Sequence, residues 1–274
     1  MHKPSDKITR QFEGCIKTPN LWVGLGPNQL EQFQLDTRVQ KRFDSENLNL
    51  KGLRLGKLVE QFLAFQISNS NRPFEVLDAN MQIQNGKQTI GEIDLLLKNS
   101  SETIHLEIVY KFYLYSEETG NSQLEHWIGP NNKDSLYKKV DKLTHKQLPL
   151  LFKEEVRPWL EKYNLNCNDI KQQVLFKGQL FLPYNRTIIL EPWINKNSVS
   201  GFYLNFSKIE LLGQCKFYIP EKLDWLSELH VQVDWMTFEV AKEKLQSFME
   251  KQISPMCWIK YKTGVLKKCF IVWW

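Results

Sequence analysis

Three stretches in the middle of the chain alternate apolar and polar positions with the period of a strand: FEVLDANMQIQ, QTIGEIDLLLK and TIHLEIVYKFYLY. The separators NGK and NSSE carry hairpin-turn residues, so the three predict a meander. Before them, Leu53 to Ile67 sets Leu55, Leu58, Val59, Phe62 and Phe65 at helical spacing, and SNSNRP ends the helix. After them, Asn131 to Leu148 returns to that spacing, with Leu136, Val140, Leu143 and Gln147 on one stripe. Asp134 or Asn132 is the expected N-cap, because a short side-chain oxygen accepts the free N–H groups there. A polar helical stretch follows around Glu154–Tyr163, and Val174–Tyr184 predicts a further strand. The central order is α-β-β-β-α-β, within a mixed α/β (α+β) fold.

The flanks are less regular. Residues 5–50 predict one or two short helices with loops. Residues 186–274 mix strand-like pieces (GFYLNF, CKFYIP, CFIVWW) with one helix near Phe238–Lys251. Trp193, Trp225, Trp235, Trp258, Trp273 and Trp274 fall here and are assigned to core and rim packing. The expected organisation is an N-terminal helical extension over 1–50, a core over 51–185, and a C-terminal mixed α/β extension over 186–274 packed on that core.

Composition adds limits. The chain has 274 residues, 42% hydrophobic and 24% charged, which is an ordinary soluble globular balance. A net charge of +5 is compatible with a polyanionic partner without requiring one. The five cysteines are scattered and odd in number, with no CxxC pair, so reduced thiols are expected rather than disulfides or zinc. The sequence shows neither an apolar leader nor a run of membrane-spanning length. A cytoplasmic, bacterial-type protein is the expectation, without a membrane partner and with its oligomeric state open. A phosphate-binding Gly loop, a nucleophile elbow and an HExxH motif are all missing, which disfavours nucleotide hydrolases, esterases and zincins.

Charge interrupts the most apolar region. Side chains alternate along a strand, so Glu92 and Asp94 should share one face and Ile93, Leu95 and Leu97 the other. In the next strand His105, Glu107, Val109 and Lys111 share a face. A hairpin closed symmetrically between Ser100 and Ser101 sets Asp94 directly opposite Glu107. Like charges about 4.5–5.5 Å apart destabilise a sheet. Either a hard cation such as Mg²⁺ or Mn²⁺ sits between them, or one acid holds a proton. The plain alternative is a solvated strand face on which Lys111 pairs with an acid.

At these residues the chain resembles the PD-(D/E)xK superfamily, the restriction-endonuclease-like nucleases, whose core is α-β-β-β-α-β. GEIDLLL is similar to the family's metal-binding strand and HLEIVYK to the strand after it. The resemblance implies metal ligands at Asp94 and Glu107, with Glu92 and Glu60 as further acids. It implies catalytic roles for Asp94, Glu107, Lys111 and Gln147, and a Mg²⁺ or Mn²⁺ cofactor. The usual lysine stands two residues after the second acid. Here that residue is Val109, and Lys111 stands one step further along the same face, about 6.7 Å away by strand rise. More closely, LGKLVEQFL, GEIDLLL, HLEIVYKFYL, WIGPNNKDSLYKKVDKL, HKQL and GQLFLP resemble one bacterial family described as a domain of unknown function.

The resemblance implies a metal-dependent nuclease, for which a magnesium-dependent deoxyribonuclease is the activity to test. Lys138, Lys142 and Asn131 are candidate substrate contacts, as is Trp127. Lys139, His145 and Lys146 share the basic side of the same helix, which is equally explained as a solvated face. The departure at Val109 leaves two alternatives open. One is an inactive nuclease-like module that still binds nucleic acid or protein, the other a protein without nucleic-acid activity.

Overall fold

A computed structural model describes residues 4–38, 43 and 52–274. In chain order the elements are α1 (Pro4–Lys17), α2 (Leu55–Ser68), β1 (Glu75–Asn85), β2 (Gln88–Lys98) and β3 (Thr103–Tyr115). Next come α3 (Gln123–His126), β4 (Trp127–Ile128), α4 (Leu136–Lys142), α5 (Arg157–Lys162) and β5 (Ile170–Pro183). The rest is β6 (Val199–Asn205), β7 (Lys216–Tyr218), α6 (Phe238–Glu250), β8 (Met256–Lys260) and β9 (Leu266–Val272). The fold is mixed α/β. One sheet runs β1-β2-β3-β5-β6-β9-β8-β7, with β4 paired to β3. Strands β1 to β3 are antiparallel, β3, β5, β6 and β9 are mutually parallel neighbours, and β7–β8–β9 is antiparallel again. The sequence pattern missed β8, whose MCWIK run is buried almost throughout and so does not alternate.

Helices cover both faces of the sheet. Leu58, Val59, Phe62 and Leu63 of α2 and Phe12 of α1 pack on Leu95, Leu97, Leu106, Ile108 and Phe112. Leu136, Val140 and Leu143 pack on Val109 and Tyr113 from the other side. His105 and Glu107 of β3 are therefore enclosed, which removes the solvated-face alternative for Glu107. Further along the sheet, Ala241 and Leu245 of α6 close a third apolar cluster over β7–β9.

Two local expectations change. The N-cap of α4 is Ser135, whose hydroxyl accepts from the Lys138 N–H, rather than Asp134 or Asn132. The alternation along β2 also breaks. Ile93 joins Met81, Ile83 and Leu96 in a separate cluster, while Leu95 and Leu97 face α2. Glu92 reaches Lys57 of α2, so it does not lie on the face opposite Leu95. The break falls at Asp94, the point where β2 parts from β3.

Candidate active site at the parting of two strands

The β2–β3 ladder runs from Lys98–Thr103 to Leu95–Leu106 and ends there. In that register Asp94 is one step past the last pair, level with Glu107. Beyond it β3 stays paired to β5 as far as Leu114, while β2 stays with β1. The Ile108 N–H thus loses its partner on β2. Asp94 Oδ2 accepts it at 2.8 Å, as a buried backbone donor requires. This bond holds the Asp94 carboxylate in the gap between the strands.

Glu107 is fully buried and held at both oxygens. His105 Nε2 stands 3.0 Å from Oε1, and Gln147 Nε2 donates to Oε2. The Gln172 amide donates to His105 Nδ1 at 2.9 Å, which leaves the ring proton on Nε2 to donate to Glu107. His105 is thus an orienting residue, a role that its isolated position in the sequence did not signal. Gln147 also accepts from Lys139 Nζ, at 2.7 Å. Lys139, Gln147, Glu107, His105 and Gln172 form one chain of hydrogen bonds, buried at Glu107 and His105 and half-buried at its ends.

A turn of π-helix explains how Lys139 and Gln147 meet. Residues Leu143–Gln147 form that turn, closed by the Leu148 N–H on the Leu143 carbonyl. In a regular helix, eight residues at about 100° each leave Lys139 and Gln147 about 80° apart. The extra residue of a π-bulge cuts this to about 20°. It moves Gln147 off the apolar stripe and into the row of Lys139.

Charges at the gap are shifted toward neutrality. Burial, then the Glu107 charge, raise the Asp94 carboxyl from its ordinary 3.8 to about 7, against the Ile108 hydrogen bond. Burial lowers the Lys139 ammonium from 10.5 to about 8, although Glu107 and Asp94 both favour its charged form. Glu60 is raised as well, chiefly by burial and against the pull of Lys57.

The other predicted residues are placed as follows. Lys111 is not brought to the carboxylates: its Nζ donates to Asp134 at 2.6 Å. Gly129 lets that loop close, since a Cβ there would fall 1.9 Å from Asp134 Oδ1. Val109, at the position of the usual lysine, is buried in the core beneath α4. Glu92 and Glu60 share the Lys57 ammonium at 2.6 and 2.8 Å, so they form an ion-paired group of their own. Asn131 Oδ1 accepts from the Ser254 N–H and anchors the C-terminal region. Lys138 and Lys142 are exposed on α4. Trp127 is fully buried, which removes it as a substrate contact. The five cysteines are all free thiols.

Among the described residues no three His, Cys, Asp or Glu side chains form a ready-made metal cage. Asp94 and Glu107 nevertheless fit Mg²⁺ or Mn²⁺, which are commonly held by one or two carboxylates with waters and substrate phosphate completing the shell. Both donors are hard oxygens, and each belongs to a carboxylate that its neighbours hold in a fixed orientation. Among the described residues no helix is long and apolar enough to cross a membrane.

A family model described as a domain of unknown function, DUF1853, matches residues 10–270. No curated protein and no solved structure matches the chain.

Proposed function

Since the chain belongs to the DUF1853 family, a domain of unknown function, we propose its activity from the site itself: metal-dependent hydrolysis of a phosphodiester bond in nucleic acid. The observation that carries this is the pair of half-buried Asp94 and buried Glu107 at the parting of β2 and β3, with Lys139 linked to it through Gln147. The succession α2-β1-β2-β3-α4-β5, interrupted by the short α3, β4 and α5 and with β5 parallel to β3, supports the restriction-endonuclease-like reading.

Phosphodiester hydrolysis requires an activated water and relief of charge on the phosphoryl group. A bound Mg²⁺ or Mn²⁺ supplies Lewis-acid polarisation and lowers the pKa of water. Asp94 and Glu107 are the residues that would hold it. Ile108 and His105 aim those carboxylates, so their orientation is set before substrate arrives. Lys139 takes the part of the lysine that β3 lacks. It approaches from α4, and its ammonium stabilises negative charge growing on a phosphate oxygen. Gln147 positions Lys139 against Glu107. Glu60 and Glu92, both paired with Lys57, stand aside as a supporting ion-paired group.

The test is cleavage of plasmid and single-stranded DNA with Mn²⁺ or Mg²⁺. Asp94→Asn is expected to abolish it, and Lys139→Met to lower it by about 10²–10³-fold, the usual cost of one charge-stabilising donor. Lys111→Met should leave most of the rate. An equal loss in Lys111→Met and none in Lys139→Met would reverse the assignment of the lysine. Absence of cleavage by the wild type over a substrate panel would favour the inactive module, the reading to which the buried Val109 points.

A further inference from the structure

Where β2 leaves β3, the edge of β3 from Ile108 to Phe112 becomes the floor of a cleft of about 760 Å³. Its inner end is formed by Ile108 and Lys139, the two residues that touch the carboxylate site from outside. From there outward it is lined by cations on three separate elements. Arg54 stands at the N-terminus of α2, Lys111 and Lys133 lie beside the α4 entry loop, and Lys222 sits on the segment after β7. Two acids also line it. Asp134 is held by Lys111, and Glu221 by Lys7. Among the described residues, Arg54, Lys133 and Lys222 have no carboxylate partner, and all three are exposed. One wall is aromatic: Trp225 packs edge-on against Phe112 at 5.3 Å, and the Lys222 ammonium lies 5.8 Å from its ring.

We infer that this cleft binds a single nucleic-acid strand, holding the phosphates and bases next to the bond delivered to Asp94 and Glu107. The inference rests on the nuclease reading for the class of substrate, and on the cleft for its form. Exposed cations with no carboxylate partner among the described residues suit a phosphate backbone, and an aromatic wall among them suits bases, the combination that single-strand grooves use. A duplex is a rigid cylinder whose major groove alone is about 12 Å wide. It is too wide to enter a cleft of about 760 Å³. A single strand is narrow and flexible enough to do so.

The experiment measures binding without metal, so that cleavage plays no part. A fluorescent 12-mer of oligothymidylate is titrated with the full chain in EDTA at several salt concentrations. The proteins are wild type, Asp94→Asn, and Lys133→Gln/Lys222→Gln. The wild type is expected to bind with a salt-dependent affinity, and Asp94→Asn to bind at least as well. The double variant should bind several-fold more weakly, with its log–log salt slope reduced by about 0.7 for each phosphate no longer neutralised. Both substitutions are on exposed side chains, and thermal melting checks that the fold is kept. An unchanged affinity and slope in the double variant would overturn the inference. So would equal binding of a 12-base-pair duplex, or competition by thymidine monophosphate at the oligonucleotide's own affinity. Binding that behaves as expected while no metal supports cleavage would sink the nuclease reading alone and leave the cleft assignment standing.

Discussion

Asp94 holds a charge that its surroundings oppose. An acid whose carboxyl is raised in the fold binds its proton more tightly there than in the unfolded chain. Its contribution to stability is present below the unfolded value and is lost as pH rises from about 4 to 7. Asp94→Asn removes the charge and keeps an oxygen that can accept from Ile108. In metal-free protein this variant is expected to melt higher than wild type at pH 8, and by a clearly smaller margin at pH 5. Calorimetry at the two pH values checks it, and an equal shift at both would show that the charge is not the cause. Sequence marked Asp94 and Glu107 as the centre of the site because carboxylates stood out in apolar strands. It did not mark Lys139, one of several lysines on a basic helix, because the residue that makes it different is eight positions away across a π-bulge.

At the scale of elements, α4 and its continuation carry half of the site. Ser135 caps the helix, so Ser135→Ala should cost about 1 kcal/mol. For a chain of this size that lowers Tm by about 2–4 °C. The π turn has a sharper test. Deleting Thr144 removes the extra residue and rotates Gln147 back toward the apolar stripe. Cleavage should fall to the level of Gln147→Ala, with the far-UV spectrum little changed. Retention of full activity would mean that the Lys139–Gln147 contact is incidental. The helix itself was legible from Leu136, Val140 and Leu143, which keep helical spacing and are all buried. The π turn was not, since Leu-Thr-His-Lys-Gln carries no glycine or proline to flag a departure from the regular helix.

At the scale of the whole molecule, three lysines, Lys177 and Lys268 buried and Lys139 half-buried, have shifted charge. Lys139 and Lys177 are lowered to about 8 and Lys268 to about 7, each chiefly by burial. Lys177 donates to the Ile16 and Thr18 carbonyls, and Lys268 to Gln179 and the Trp225 carbonyl. Between their folded values and the ordinary 10.5, the unfolded chain binds more protons than the fold, so stability rises with pH there. Each lysine adds at most about 1.4 kcal/mol per pH unit. Metal-free protein should therefore pass through a stability minimum near pH 7. The Asp94 loss dominates below it, and the lysine gain dominates from pH 7 to 8.5. Urea unfolding across pH 5–8.5 checks this, and a monotonic fall would contradict the lysine assignments. A second whole-molecule test is linkage: Mn²⁺ at a hundredfold excess over Kd should add about 2.7 kcal/mol. Asp94→Ala should lose that gain.

The amino-acid sequence by itself determined the meander, the helices on either side of it, the β2–β3 register and the two central carboxylates. These follow from period, turn residues and charge placement, which are local properties. The β2–β3 pairing Lys98–Thr103 follows directly from symmetric closure between Ser100 and Ser101. Tertiary structure decided everything that depends on distant groups meeting. It closed β5 against β3 and carried the sheet on through β6 to β9. It spent Lys111 on Asp134, and Glu92 and Glu60 on Lys57. It also brought Lys139 to Gln147, beside Glu107 and Asp94. The physical reason is that a side chain's partner depends on which elements pack against it and on the charges that burial there permits. A one-dimensional pattern records the element that a residue is in, and only the packed molecule records what stands across from it.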